Sequence, residues 1–366
     1  MGASLTLGRV KGIKIRVHWT FYLLLAWIVF LEVSRGSSLE SMLWSVAFIL
    51  VLFGCVVLHE LGHSLTAMRF GISTRQITLL PIGGVASLEK MPEDPWEELL
   101  VALAGPAVNV IIALVLWMLL PVGAFFSQNP EALQEALSVI NAGNFLYLLL
   151  SANLLLVAFN MIPAFPMDGG RVLRALLAMR MDRVRATRAA ALLGQGLAVL
   201  FFLVGIVYNP ILALVGVFIY FGARSESAME EQMVVLRGRT VREAMMTDVT
   251  LVDPQATIGE VIDLILDGTE RDFVVSSGRE VEGVLYETDL IRAWRSRGQD
   301  VPVHEVMVRG VKAVSAGDPL KEVISRLQEG RSFLPVVEDG RPVGAIDTNN
   351  LSEFIVFRAT TGMRSA

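Results

Sequence analysis

Two histidines and a glutamate in the apolar stretch CVVLHELGHSLTAM (55–68) have the types and spacing needed for metal-assisted hydrolysis. On a helix, His59 and His63 are four residues apart and share one face. This spacing lets two imidazoles reach a single zinc ion, with Glu60 beside it to take a proton from a zinc-bound water. Two of the chain's four histidines fall in this pattern, which we interpret as a metal site rather than a chance match.

A hydrolytic zinc site needs a third protein ligand and one open position. The best candidate is Asp168 in FNMIPAFPMDGGRV (159–172), which is expected at the same depth as His59. Pro163 and Pro166 should end the preceding helix, and the glycine pair after Asp168 permits a tight turn. The alternative is a solvated loop aspartate beside Arg171.

Asn160 and the segment 72–89 are further candidates for substrate contacts. Asn160 lies about one turn before the expected helix break, where it could bind a substrate or an oxyanion, or form a helix–helix hydrogen bond. The segment 72–89 is rich in β-branched residues around Pro81, Gly83 and Gly84. It predicts a re-entrant β-hairpin whose edge could pair with an unwound substrate, or else a plain cytoplasmic hairpin.

The composition places these residues in a membrane protein. Of 366 residues, 54% are hydrophobic and 18% charged, and the mean hydropathy is +0.57. Ionisable groups inside a bilayer are costly and usually functional. The net charge of −5 includes no basic block, which argues against nucleic acid as a partner. Cys55 is the only cysteine, so an intrachain disulfide is excluded.

Apolar segments of spanning length divide the first part of the chain. They are predicted at 17–34, 43–66, 97–120, 143–162, 189–207 and 210–223. The last two could instead form one kinked or re-entrant hairpin. Loops rich in lysine and arginine alternate with loops that have one such residue or none, which predicts that both termini are cytoplasmic.

The C-terminal part reads as a soluble α/β unit with an internal repeat. The stretch 241–262 aligns with 303–324 without a gap, and each copy fits a small βαββα unit. The predicted organisation is a membrane domain, a linker, two repeats and a tail, at 1–223, 224–239, 240–298, 299–358 and 359–366.

HELGH, followed about a hundred residues later by FNMIPAFPMDGGR, resembles the site-2 protease family of intramembrane zinc metalloproteases. The likeness extends over about 10–222, and AGPAVN (104–109) also resembles a small-residue motif of that family. The resemblance implies zinc ligands at His59, His63 and Asp168, a catalytic base at Glu60 and a substrate-binding asparagine at Asn160. It also implies a membrane-re-entrant β-structure after the zinc helix.

The paired C-terminal units resemble a tandem of cystathionine-β-synthase (CBS) domains. Such pairs often bind adenine nucleotides, so ATP or AMP is a candidate ligand, and Asp289 fits the family's ribose-binding acid. Tyr286 replaces the usual Ser or Thr of the first repeat, and Asp347 and Asn350 replace the Thr and Asp of the second. The alternative is a dimerising or substrate-recruiting module without a ligand.

The expected fold is a multi-pass α-helical membrane domain of about six transmembrane helices with a re-entrant β-hairpin, followed by a cytosolic CBS pair. The expected activity is a one-zinc intramembrane endopeptidase of a prokaryotic cell membrane. It would cut a transmembrane protein substrate within the lipid bilayer, and the CBS pair would regulate it or assemble it into a homodimer or larger oligomer. The rivals are a CBS-regulated metal transporter or channel, and a catalytically inactive scaffold.

Overall fold

A computed structural model describes most of the chain, namely residues 4–81, 83–88, 92–126, 139–278, 280–329 and 332–362. The chain divides into two compact units, Met1–Ser227 and Ala228–Ala366. Apolar helices and a small sheet form the first unit, and a repeated α/β element forms the second. The end of the expected tail, 363–366, lies outside the described residues. The expected domain boundaries stay predictions.

Apolar helices make up most of the first unit. Their order is α1 (Thr20–Ser34), α2 (Leu39–Arg69), α3 (Pro95–Leu119), α4 (Val122–Phe126), α5 (Phe145–Asn160), α6 (Asp168–Ala178), α7 (Arg183–Tyr208) and α8 (Pro210–Leu236). Among the described residues, four helices (α2, α3, α7 and α8) are long and apolar enough to cross a membrane. Helices α1 and α5 are apolar but shorter, so the expected count of six spans stays a prediction.

The starts of the long helices follow ordinary capping chemistry. Asp94 before α3 and Asp182 before α7 accept hydrogen bonds from backbone N–H groups of the first helical turn. These N–H groups have no partner within a helix, so such caps stabilise the helix start. Pro95 begins α3, where its missing N–H costs nothing.

A mixed sheet in the order β1-β2-β3-β4 belongs to the first unit. Its strands are β1 (Ser4–Val10), β2 (Ile13–His18), β3 (Thr74–Leu80) and β4 (Gly83–Leu88). Strands β1 and β2 form one antiparallel hairpin, β3 and β4 form another, and β2 pairs in parallel with β3. The second hairpin lies within the segment where the sequence predicts one. Its entry into a membrane stays a prediction.

The N-terminal hairpin is not predicted from the sequence, and it corrects the first expected span. Residues 17 and 18 of that span, 17–34, belong to β2, and the helix begins only at Thr20. The physical reason is that β2 pairs with β1 as far as His18. Lys11 and Gly12 join the two strands with φ of 46° and 90°, a left-handed turn that suits glycine.

A non-helical turn separates α5 from α6, as Pro163 and Pro166 predict. The glycine pair plays a different part from the expected one, because Gly169 and Gly170 lie in the first helical turn of α6. A Cβ on either would overlap the backbone of the preceding turn. Their close packing holds Asp168, the first residue of α6, against that turn.

The second unit contains two copies of one α/β element. Its elements are β5 (Leu251–Val252), α9 (Ile258–Asp267), β6 (Phe273–Ser276), β7 (Val281–Leu285), α10 (Glu287–Arg297), β8 (Val308–Arg309), β9 (Val314–Ser315), α11 (Leu320–Glu329), β10 (Phe333–Glu338), β11 (Arg341–Asp347) and α12 (Thr348–Gly362). In each copy a parallel strand pair is followed by an antiparallel one, β5-β6-β7 and β9-β10-β11. This order agrees with the predicted βαββα repeat.

The two copies share a small apolar core. Val274, Val284 and Tyr286 of the first copy pack with Phe333 and Ala345 of the second. The Tyr286 hydroxyl donates to the Phe333 carbonyl at 3.4 Å. The tyrosine that departs from the CBS pattern therefore fills space between the repeats.

Candidate metal centre

His59, His63 and Asp168 bring three atoms of types able to bind a metal together from two helices, α2 and α6. The two Nε2 atoms are 3.1 Å apart, and Oδ2 of Asp168 is 3.2 Å from each of them. Tetrahedral ligands about 2.1 Å from one zinc ion are about 3.4 Å from one another. The spacing of the three atoms is therefore close to what a shared zinc ion requires.

The hydrogen bonds made by Nδ1 determine which nitrogen of each imidazole faces the centre. Nδ1 of His63 lies 2.7 Å from the Val101 carbonyl, which can only accept. Nδ1 of His59 lies 2.5 Å from Oδ1 of Asn109. An imidazole that donates from Nδ1 presents a lone pair on Nε2. Two lone pairs and a carboxylate oxygen thus meet at one point, where a cation would relieve their mutual repulsion.

Glycine keeps this point open. A Cβ on Gly105 of α3 would overlap Nε2 of both histidines. A Cβ on Gly62 of α2 would come within 2.7 Å of the Ala104 carbonyl oxygen, so α2 and α3 pack closely. Among the described residues, His59, His63 and Asp168 are the group of three or more His, Cys, Asp and Glu side chains able to hold a metal ion. The site therefore fits zinc in donor type, spacing and free space.

Asp168 is buried, with 6% of its surface exposed. Oδ2 faces the histidines, and Oδ1 lies 4.0 Å from Nη1 of Arg171. The burial contradicts the alternative of a solvated loop aspartate. A buried carboxylate needs compensating charge, which both the arginine and a metal ion would supply.

Glu60 follows His59 on helix α2, and its side chain lies against strand β4. Its side chain is half-buried. A Cβ on Gly84 would come within 2.8 Å of Glu60 Cγ, so the strand backbone lies directly against this carboxylate-bearing side chain. Gly83 has a φ of +136°, a conformation that L side chains rarely adopt. Because β4 ends the strand order β1-β2-β3-β4, Glu60 lies beside an edge strand.

Asn160 is half-buried at the end of α5. Its Nδ2 donates to the Leu156 carbonyl of the same helix at 2.9 Å. The side-chain nitrogen is therefore used within α5, which differs from the expected bond between helices. A substrate contact of Asn160 stays a prediction.

A buried ionic network connects the helix that carries Asp168 to its neighbours. Arg174 of α6 and Glu98 of α3 are each 1% exposed, and Nε of Arg174 donates to Oε1 of Glu98 at 2.7 Å. Arg174 also pairs with Glu226 of α8 at 2.7 Å, and Arg183 of α7 pairs with Glu98 at 2.7 Å. In the sequence, Arg174 and Arg183 belong to a basic stretch that indicates a cytoplasmic loop, and no local pattern predicts this network.

Substituting Arg174 with methionine should destabilise the first unit strongly. The change leaves a buried Glu98 carboxylate without its main partner, and breaking a buried pair in this way costs about 3–5 kcal/mol. Arg185→Met is the matched control, because its pair with Asp182 is exposed and such pairs contribute about 0–1 kcal/mol. Thermal unfolding in detergent measures both. Equal unfolding temperatures for the two variants would contradict the structural role of the network.

In the second unit, Asp289, which is proposed for nucleotide binding, and Asp347, which departs from the CBS pattern, both have local partners. Oδ1 of Asp289 lies 3.3 Å from Nη1 of Arg292. Asp347 accepts a hydrogen bond from the Asn350 backbone N–H at 2.7 Å, which caps the start of α12. Nucleotide binding therefore stays a prediction, carried by Asp289 in the first repeat.

Models of known protein families match both parts of the chain. Residues 47–204 match the model of peptidase family M50. Residues 241–296 and 303–356 each match the model of the CBS domain. The first match contains His59, His63 and Asp168, and the two CBS matches lie within the two predicted repeats.

Two relatives match almost the whole length of this chain. A zinc metalloprotease of Methanocaldococcus jannaschii is 36% identical over 96% of this chain and 96% of its own length. A candidate zinc metalloprotease of Synechocystis is 29% identical over 95% of this chain and 94% of its own length. Among solved structures, a site-2 protease from Methanocaldococcus jannaschii is 41% identical, with a TM-score of 0.44, and the match covers 62% of this chain and 95% of that chain.

Proposed function

Since this chain belongs to peptidase family M50, the family of the site-2 proteases, and is a zinc metalloprotease with two CBS domains, we propose that it cleaves a membrane-embedded protein substrate. The observation that carries the proposal is the meeting of His59, His63 and Asp168 in a unit with four described helices long and apolar enough to cross a membrane. A bound zinc ion would acidify a water molecule and polarise the scissile carbonyl.

Glu60 would act as the catalytic base. This proposal is supported by its sequence position directly after His59 and by the contact of its side chain with Gly84 of strand β4. In the proposed reaction the water oxygen bonds to the carbonyl carbon and the peptide C–N bond breaks. Glu60 accepts a proton from the water and delivers it to the leaving amine nitrogen. The products are an amine and a carboxylic acid, which then releases its proton to water.

Strand β4 is the proposed substrate platform. A transmembrane substrate must lose its helical hydrogen bonds before its amide can react, and an edge strand offers replacement hydrogen bonds to an extended segment. Gly83 and Gly84 would let that segment approach closely, and the Oδ1 atom of Asn160 is a candidate acceptor for a substrate N–H group. We propose that the β3–β4 hairpin re-enters the membrane so that this edge lies at the depth of the metal centre.

The proposed topology has six spans with both termini in the cytoplasm of a prokaryotic cell. The alternation of basic and non-basic loops supports this orientation. It would place cleavage near the cytoplasmic end of the substrate's membrane segment. The CBS pair would then be cytosolic, where it would regulate the protease by binding ATP or AMP near Asp289, or bring two chains together.

A reconstituted assay tests the proposed function. The full chain is incorporated into liposomes with candidate single-pass proteins, and mass spectrometry locates any new terminus. Cleavage inside an apolar segment, dependent on zinc, is the expected result. Zinc flux into the liposomes without any cleavage would favour the transporter alternative and contradict the proposal.

Gly84→Ala should slow cleavage without removing zinc. The added Cβ would press on Glu60 Cγ and displace its carboxylate, and misplacing a catalytic group by about 1 Å can cost about 100-fold in rate. Gly54→Ala is the matched control, because a Cβ there meets nothing within 4 Å. Turnover and zinc content are measured on the same preparations. An unchanged turnover number for Gly84→Ala would contradict the placement of Glu60 against β4.

A further inference from the structure

A buried chain of side-chain amides leads from His59 to helix α5. Nδ1 of His59 lies 2.5 Å from Oδ1 of Asn109, and Nδ2 of Asn109 donates to Oδ1 of Asn153 at 2.8 Å. Nδ2 of Asn153 then donates to the Leu149 carbonyl at 2.8 Å. Both asparagines are 0% exposed, so loss of either side chain's hydrogen-bond partner would leave a buried polar group unsatisfied.

The direction of every hydrogen bond between His59 and Leu149 follows from the Leu149 carbonyl. The Leu149 carbonyl can only accept, so Asn153 must turn its NH2 group towards it. The Cys55 sulfur, 3.7 Å from the same nitrogen, is a weak acceptor and agrees with this orientation. Oδ1 of Asn153 therefore faces Asn109, which must in turn present its own Oδ1 to His59.

The consequence for His59 is a single tautomer. Because Oδ1 of Asn109 can only accept, the ring must donate from Nδ1, and its Nε2 keeps a lone pair facing His63 and Asp168. His63 reaches the same state through the backbone carbonyl of Val101. The orientation of His59 thus depends on side chains from two other helices, whereas that of His63 needs none.

We propose that Asn109 and Asn153 are positioning residues that act as one relay and hold His59 in the orientation and tautomer that bind zinc. The inference rests on the proposed function, since it presupposes a zinc ion at this centre. A ligating histidine commonly donates its second ring N–H to a protein acceptor, and losing such a partner weakens metal binding about 10–100-fold. Here the acceptor, Oδ1 of Asn109, is itself oriented by the side-chain amide of Asn153.

A double-mutant cycle on zinc affinity tests the relay. The zinc dissociation constant of the purified full chain in detergent is measured by competition with a chromogenic chelator. Asn109→Leu should weaken binding about 10–100-fold and Asn153→Leu about tenfold. The double variant should bind zinc as Asn109→Leu does, because Asn153 acts only through Asn109. Ser151→Ala is the control, since Ser151 donates to the Tyr147 carbonyl within α5.

Additive effects of the two leucine substitutions would overturn the relay, and so would unchanged zinc affinity in both single variants. Thermal unfolding of the metal-free proteins separates loss of folding from loss of orientation. If Asn109→Leu does not fold, Asn109→Asp is used, because it keeps an acceptor for Nδ1 and loses only the donor to Asn153. It should bind zinc within about tenfold of the wild type, and a larger loss would overturn the proposal. Failure of the wild type to bind zinc would instead contradict the proposed function.

Discussion

Replacing Glu60 with glutamine is expected to lower the rate of peptide-bond cleavage by about 10²–10⁴-fold while zinc stays bound. Glutamine has nearly the same size as glutamate but cannot accept the proton of the attacking water. The proposed metal ligands His59, His63 and Asp168 are unchanged, so zinc content should equal that of the wild type. Cleavage of a reconstituted substrate and metal analysis of the same sample are the measurements.

The same variant separates a protease from a transporter. Glu40→Gln is the matched control, because Glu40 lies exposed in the first turn of the same helix, α2. It should leave cleavage unchanged. If Glu60→Gln cleaves as fast as the wild type, Glu60 is not the base. A transporter that uses the histidines for a transported ion should tolerate this change.

Replacing Gly105 with alanine is expected to abolish zinc binding and cleavage together. The new Cβ would overlap Nε2 of both His59 and His63, which is the space that the ion must share with its ligands. Zinc affinity should fall by more than about 100-fold, the upper end of what changes outside the ligand set usually cost. Chelator competition measures the affinity, and the cleavage assay follows the activity.

Gly54→Ala again serves as the control, since its Cβ meets nothing within 4 Å and it lies on the helix that carries both histidines. It should bind zinc as the wild type does. Normal zinc content in Gly105→Ala would mean that the ion binds elsewhere. Unfolding temperatures of the metal-free proteins show whether the extra Cβ also separates α2 from α3.

Local patterns in the sequence predict much of the candidate site. The spacing of His59 and His63 on one helix face follows from helix geometry alone. Asp168 is identifiable because prolines and glycines around it predict a break in an apolar region. The structure brings these three residues within 3.2 Å of one another, and their role as zinc ligands stays a proposal.

Local patterns do not predict contacts between segments that are far apart in the sequence. Asn109 and Asn153 lie 50 and 94 residues after His59, and nothing in their own neighbourhoods indicates that they form one hydrogen-bonded chain. Arg174 likewise reads as a loop cation until its partner Glu98, 76 residues away, is known. The β1–β2 hairpin does have a local signal, since IKIRVH (13–18) alternates apolar and polar residues as a strand does.

Zinc K-edge X-ray absorption on the purified full chain tests the central claim most directly. We expect one zinc ion per chain, with two imidazole nitrogens among a shell of nitrogen and oxygen ligands at about 2.0–2.1 Å. Because Cys55 is the only cysteine in the chain and lies outside the proposed ligand set, we expect no sulfur ligand at about 2.3 Å. A sulfur ligand, or a spectrum without two imidazoles, would contradict a zinc centre built from His59, His63 and Asp168.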